Sequence, residues 1–123
     1  MAKLYEKFLL YEGMQYLIYF HAESVTSSAV NDYFEKCAYK TQASLLFLAK
    51  RMGDAGKIYD TTKFRLEDKE NKIYAFKPRK ERFFCFFFIG RKIVITSAYR
   101  KRRQKLDKKE LKKAIKIRKK YMK

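Results

Sequence analysis

Histidine, cysteine, proline and acidic residues are all scarce in this chain of 123 residues. The single histidine, His21, and the two cysteines, Cys37 and Cys85, form no cluster with metal-ligand spacing, so neither a metal nor a cofactor is expected. Both cysteines lie among apolar neighbours, where a free thiol behaves as a small hydrophobe. They are read as reduced, as in a cytoplasmic protein. His21 follows an apolar stretch with no partner at a catalytic spacing and is expected to be structural or incidental. A nucleophile elbow, a phosphate-binding glycine loop and paired catalytic carboxylates are also missing. Proline occurs once and glycine four times. No linker, internal repeat or low-complexity stretch divides the sequence, so residues 1–123 are expected to form one domain. The apolar run Phe83–Ile89 falls far below the ~20 residues of a membrane-spanning helix. MAKLYEKFLLYEG mixes acids into a short apolar run and is not expected to act as a secretory signal.

What the chain has in excess is positive charge. Lys and Arg number 31 against 13 Asp and Glu, a formal net charge of +18. Such an imbalance points to a phosphate-rich partner, either nucleic acid or an anionic membrane. From Arg100 to Lys123 there are 14 basic and 2 acidic residues, a net of +12. Two-thirds of the excess therefore sits in the last fifth of the chain, which favours a defined anionic surface over general solubility.

The hydrophobic pattern changes period along the chain. GMQYLIYFHAES reads as a strand centred on Met14 to Phe20, and Lys7 to Tyr11 as a hairpin arm before it, turning at Glu12-Gly13. In SSAVNDYFEKC, Val30, Tyr33, Phe34 and Cys37 fall on one helical face, with Ser27 or Ser28 as N-cap. Leu45, Leu48, Ala49 and Met52 make a second helical stripe, stopped by Gly53 and Gly56. Residues 57–71 read as a polar connection. KIYAFK, RFFCFFFIG and KIVITSA then read as three strands, joined through Pro78–Glu81 and Gly90-Arg91. In the middle one, Arg82, Phe84, Phe86 and Phe88 share one face and Phe83, Cys85 and Phe87 the other. Apolar residues on both faces predict a central strand covered on both sides. Asp107 and Glu110 have capping-box spacing. Leu111, Ala114, Ile115, Arg118 and Met122 follow as the narrow packing stripe of a very basic last helix. The expected order is β-α-α-β-β-β-α, an α+β fold.

Chemistry, if any, has to come from cations and hydroxyls at strand ends. A tight hairpin brings Lys77 close to Arg82, and antiparallel pairing places Arg82 and Tyr99 on one rim of the sheet. Arg100, Lys101, Arg102 and Arg103 follow directly. Such a set suits cleavage of RNA by its own 2′-hydroxyl, which needs proton removal, phosphorane stabilisation and protonation of the leaving oxygen. Arginine forks bind phosphate oxygens bidentately, and a Tyr or Lys whose pKa is lowered by neighbouring cations can serve as acid or base. The same residues could equally be solvated charges that bind a nucleic-acid backbone.

IYAFKPRKERFFCFFF, a turn, and KIVITSAYRKRRQKLDKKELKKA resemble the C-terminal half of HigB-like toxins, members of the RelE/ParE superfamily of type II toxin–antitoxin systems. Ala75-Phe76-Lys77 stands where the family has a strand ending in Glu-Leu-Arg, and Arg82 stands for the arginine that opens the next strand. Tyr99 stands for the aromatic residue after the last strand. Lys101, Arg102 and Lys105 stand for its basic run, and Glu110 and Ala114 fall in the final helix. Ser97-Ala98 replaces the histidine often found before the aromatic. AVNDYFEKC and ASLLFLAKRMGDAG resemble the two N-terminal helices, so that residues 14–123 are covered and 1–13 would be an N-terminal extension. The resemblance implies a RelE-like, mainly antiparallel sheet with the two N-terminal helices on one face and a basic C-terminal helix. It implies a ribosome-dependent mRNA endoribonuclease neutralised by a cognate antitoxin. Lys77 and Arg82 would hold and polarise the scissile phosphate, Tyr99 would orient or stack on a base or join in proton transfer, and Arg79, Lys80, Arg100 to Arg103 and Lys105 would grip RNA. Two other readings stay open: a ParE-like inhibitor of DNA gyrase, and a non-catalytic RNA- or ribosome-binding protein.

Overall fold

The computed structural model describes residues 2–122. After a 3-10 turn at Glu6–Phe8 come β1 (Leu9–Glu12), β2 (Leu17–Phe20), α1 (Ala29–Glu35), α2 (Tyr39–Ala55), β3 (Phe64–Asp68), β4 (Ile73–Phe76), β5 (Glu81–Phe88), β6 (Lys92–Arg100) and α3 (Lys108–Lys119). The strands form one six-stranded sheet in the order β1-β2-β6-β5-β4-β3. Every pairing is antiparallel except β2 with β6, where Leu17 to Phe20 run beside Lys92 to Ile95 in parallel.

The expected order is present but incomplete, because β3 is an additional strand and the hairpin arm before β2 joins the sheet as β1. Residues 57–71 are not merely a polar connection: Phe64–Asp68 pairs with β4 at the sheet edge. Two features hide it. An edge strand exposes its polar residues, here Arg65, and a bulge between Leu66 and Asp68 inserts Glu67 and breaks the two-residue period. The anticipated hairpin arm before Gly13 is β1, shifted toward Leu9–Glu12, and β2 is shorter than the stretch Met14–Phe20 suggested.

The sheet carries a core on each face. On one, Ile18, Phe20, Phe83, Cys85, Ile93 and Ile95 pack with Val30 of α1 and with Leu45, Leu48 and Met52 of α2. On the other, Ala75, Phe84, Phe86 and Val94 pack with Ala114 of α3 and with Tyr121. The phenylalanine run is thus explained. β5 is flanked by β4 and β6 and covered above and below, and Phe83 to Phe86 are fully buried. Among Phe83 to Phe86 bases have no exposed ring to stack on.

Local sequence sets most boundaries. Ser28 caps α1 by accepting from the Asn31 N–H, and Asp107 caps α3 by accepting from Lys109 and Glu110. Gly56, at φ 81°, closes α2 in the left-handed conformation. Gly53 does not stop the helix, contrary to expectation. Its role is close approach: a Cβ on Gly13 would lie 2.2 Å from the Gly53 carbonyl carbon, and the Gly53 carbonyl oxygen accepts from Gln15 and Tyr16. Ala114 of the expected stripe is buried, but beyond α3 it is Tyr121 and not Met122 that is buried. The helix ends at Lys119, so its periodicity no longer governs the next residues.

Cys37 and Cys85 are free thiols, and burial pushes the pKa of both upward. His21 is buried, with Nδ1 2.6 Å from the Tyr121 hydroxyl and Nε2 3.5 Å from Glu23. Burial lowers its pKa; Glu23 opposes this and Lys120 adds to it. An unfolded histidine titrates near ~6.5 and so takes up its proton first as the pH falls. Stability contributed by neutral His21 is therefore complete above that value and declines as the pH drops through it toward the lowered folded pKa. Thermal melts between pH 8 and about 5.5 are expected to show this decline, and His21→Gln to flatten it.

Candidate functional site

One end of the sheet gathers the end of β4, the start of β5 and the end of β6. Arg82 and Tyr99 are direct cross-strand partners, so both side chains lie on the face covered by α3. A bulge produces this. Phe84 pairs with Ser97 but Cys85 pairs with Ile95, leaving Thr96 as the extra residue. Before the bulge, Ile93 and Ile95 face α1 and α2; after it Ala98 does, and Tyr99 joins the opposite core. A regular strand would have put Tyr99 on the wrong face.

Lys77 lies just past β4. Its N–H donates to the Lys63 carbonyl at 2.8 Å. Its ammonium is 3.3 Å from the Thr61 carbonyl and 3.5 Å from the Glu67 carboxylate, with both side chains largely buried. Burial lowers the Lys77 pKa; Glu67 opposes this, while Arg65 and Arg82 reinforce it. Tyr99 behaves differently from expectation. Burial raises its pKa, against the opposing influence of the Asp107 backbone and Arg82, so its phenol stays protonated at neutral pH. The Arg82 guanidinium donates through Nη1 to the carbonyls of Arg79 at 3.0 Å and Glu81 at 2.8 Å, and its buried Nε has no partner among the described residues.

The opposite face of the same rim holds a second polar group. Glu81 pairs with Arg100 across the strands. Its buried carboxylate accepts from the Tyr33 hydroxyl and, at 2.7 Å, from Arg100 Nη1. Burial first, and the Glu81 hydrogen bond next, raise the Tyr33 pKa well above the ordinary phenol range. This group ties α1 to the strand that carries Arg82. Glu81→Gln removes the ion pair while keeping an acceptor for Tyr33. Because Arg100 is half-exposed and regains water, the expected cost is about 1–3 kcal/mol, read from urea unfolding of the two proteins.

Beside Arg82 opens a groove of about 610 Å³ lined by Arg79, Lys80, Arg82, Arg100, Lys101, Arg102, Arg103 and Gln104. Its walls are pinned by the Lys101 N–H on the Lys80 carbonyl at 2.8 Å. Arg79 holds the turn in the left-handed region at φ 57°. A neighbouring hollow of about 750 Å³ lies within the loop from Tyr99 to Lys108, and Lys105 lines it. The residues picked from sequence are therefore assembled: Lys77, Arg82 and Tyr99 at the rim, Arg79, Lys80 and Arg100 to Arg103 in the adjoining groove, and Lys105 next to Tyr99. Glu67, Glu81 and Tyr33 were missed. Glu67 falls in the stretch read as a polar connection, and the only signal for Glu81 is its register opposite Arg100. Among the described residues no group of His, Cys, Asp and Glu could hold a metal ion, and no helix is long and apolar enough to cross a membrane.

No curated protein matches the chain at a significant level. Residues 32–119 match the family of phage-derived Gp49-like proteins (DUF891), a span from α1 to the end of α3 that includes every rim residue named above. The chain belongs to this Gp49-like family, a family of RelE/toxin-like proteins.

Proposed function

We propose that this protein is the HigB-like toxin of a type II toxin–antitoxin system and cleaves mRNA on the ribosome. The observation that carries the reading is the convergence of Lys77, Arg82 and Tyr99 on one rim, next to a groove whose walls are almost wholly cationic. The chemistry is an attack of the ribose 2′-hydroxyl on the adjacent phosphorus. The new 2′-O–P bond forms, the P–O5′ bond breaks, and the chain ends in a cyclic phosphate and a free 5′-hydroxyl. Lys77, in the neutral form that burial favours, accepts the 2′ proton, and Glu67 stabilises the ammonium that results. Arg82 binds the non-bridging oxygens as their charge grows. Tyr99, held protonated by burial, gives its phenolic proton to the leaving O5′ as the P–O5′ bond breaks, and regains one from solvent while Lys77 releases its own. Every step uses side chains of this protein. The partners are mRNA, the ribosome and an antitoxin protein, and the setting is the cytoplasm.

Primer extension on a reporter mRNA after brief induction tests the reading. Discrete cuts inside the translated frame are expected. Arrested growth with intact mRNA would replace the reading by gyrase inhibition of the ParE kind. Normal growth with intact mRNA would leave a non-catalytic RNA- or ribosome-binding protein.

The groove residues act differently from the rim. Changing Lys101 and Arg102 together to Gln removes two backbone contacts. Binding to a uridine oligonucleotide is expected to weaken gradually, and the log–log salt slope to fall by about 0.7 per charge removed. Titrations at several salt concentrations measure it.

A further inference from the structure

We infer that a second groove, between α2 and the segment Lys57–Lys63, docks an acidic amphipathic helix of a partner protein and so restrains Lys77 from behind. The groove measures about 580 Å³. Leu48 and Ile58 line its inner part, while Phe47 and Tyr59 stand 61% and 81% exposed beside it. On α2 its wall is a single helical stripe, Ser44, Phe47, Leu48, Arg51 and Ala55. Its character is unlike that of the rim groove, where nearly every residue is a cation and no apolar side chain lines the wall.

Charge selects the occupant. Arg51, Lys57 and Lys63 border the apolar strip. The one acid there, Asp60, is occupied, since its carboxylate accepts from the Thr62 N–H at 2.9 Å and the Thr62 hydroxyl at 2.6 Å. Lys57 lies 5.4 Å over the Tyr59 ring. An apolar trough bordered by cations complements a helix with one apolar stripe flanked by Glu and Asp. A nucleic-acid strand would leave Leu48 and Ile58 facing phosphates.

The position of the groove gives docking a consequence. The segment that forms its far wall also supplies the two carbonyls that hold Lys77, Thr61 on the ammonium and Lys63 on the N–H. A helix seated in the groove fixes that segment, and with it Lys77, without entering the RNA-binding rim. The regulatory consequence rests on the proposed role of Lys77, whereas the docking stands on the groove itself.

The test uses the full-length protein labelled with nitrogen-15 and a synthetic Leu/Glu amphipathic helix of about 14 residues, ~20 Å long at 1.5 Å per residue. The expected result is amide shifts at Phe47, Arg51 and Tyr59, accompanied by Lys77. Phe47→Glu, at an exposed position, should weaken binding at least about tenfold by repelling the peptide's acids. A Leu/Lys twin of the peptide should not bind. Shifts confined to Arg100–Arg103 and α3, or unchanged binding by Phe47→Glu, would overturn the docking site. Displacement of the peptide from these same amides by a uridine oligonucleotide would assign the groove to RNA instead. Groove shifts with a motionless Lys77 amide would overturn the coupling. None of these outcomes depends on whether the protein cleaves mRNA.

Discussion

Arg82→Ala is expected to abolish mRNA cleavage in induced cells while leaving the protein folded. Primer extension should show the reporter transcript uncut, a loss of about 10²–10³-fold, the scale for removing one preorganised donor to a developing oxyanion. The side chain is only partly buried and its hydrogen bonds go to carbonyls of its own turn and strand, so the melting temperature should change little. Its geometry is what matters. Two backbone carbonyls fix one guanidinium nitrogen, Tyr99 stands directly opposite, and Arg82 is close enough to Lys77 to add to the lowering of its pKa by burial. Arg82→Lys should rescue little. An ammonium is a point charge and cannot hold the carbonyls of Arg79 and Glu81 while presenting a fork to phosphate. Discrete cuts from Arg82→Ala at the wild-type rate would show that the rim is not the catalytic site.

The second large effect is on stability. Phe84→Ala should cost about 3–5 kcal/mol, a large share of the 5–15 kcal/mol that holds a typical domain folded. Phe84 is fully buried on a central strand, and its ring lies 5.5 Å from that of Tyr99 at an interplanar angle of 30°. Truncation opens a cavity between the sheet and α3, where neighbours on a hydrogen-bonded sheet cannot collapse inward. Urea denaturation of both proteins measures the loss through the shift in midpoint. Phe87→Ala on the same strand is the control: Phe87 is 36% exposed, and its loss should cost markedly less. Equal costs would mean that the two-faced burial of β5 is wrong. Because Phe84 supports Tyr99, its truncation should also reduce cleavage at temperatures where the protein is still folded.

Local pattern was enough for much of this molecule. Alternation over Arg82–Phe88 marked a strand with two apolar faces, the stripe Leu45–Met52 marked the long helix, and Asp107 marked where the basic helix starts. Short hairpins also made the Arg82–Tyr99 pairing legible, because antiparallel neighbours joined by a tight turn leave little freedom of register. Charge counting alone placed the cationic surface in the last fifth of the chain.

The remainder depended on contacts between residues distant in sequence. The bulges at Glu67 and Thr96 have no local signature, yet the first puts a carboxylate on Lys77 and the second turns Tyr99 toward α3. Gly53 reads as a helix stop until β1 and β2 are packed against it, when it proves to be the place where two backbones meet. The protonation of Tyr99 reads from sequence as lowered by its cationic neighbours, but burial outweighs them. Periodicity and charge are properties of a segment and travel with it. Register, burial and the pairing of Glu81 with Tyr33 exist only after strands and helices have met, so they belong to the tertiary structure.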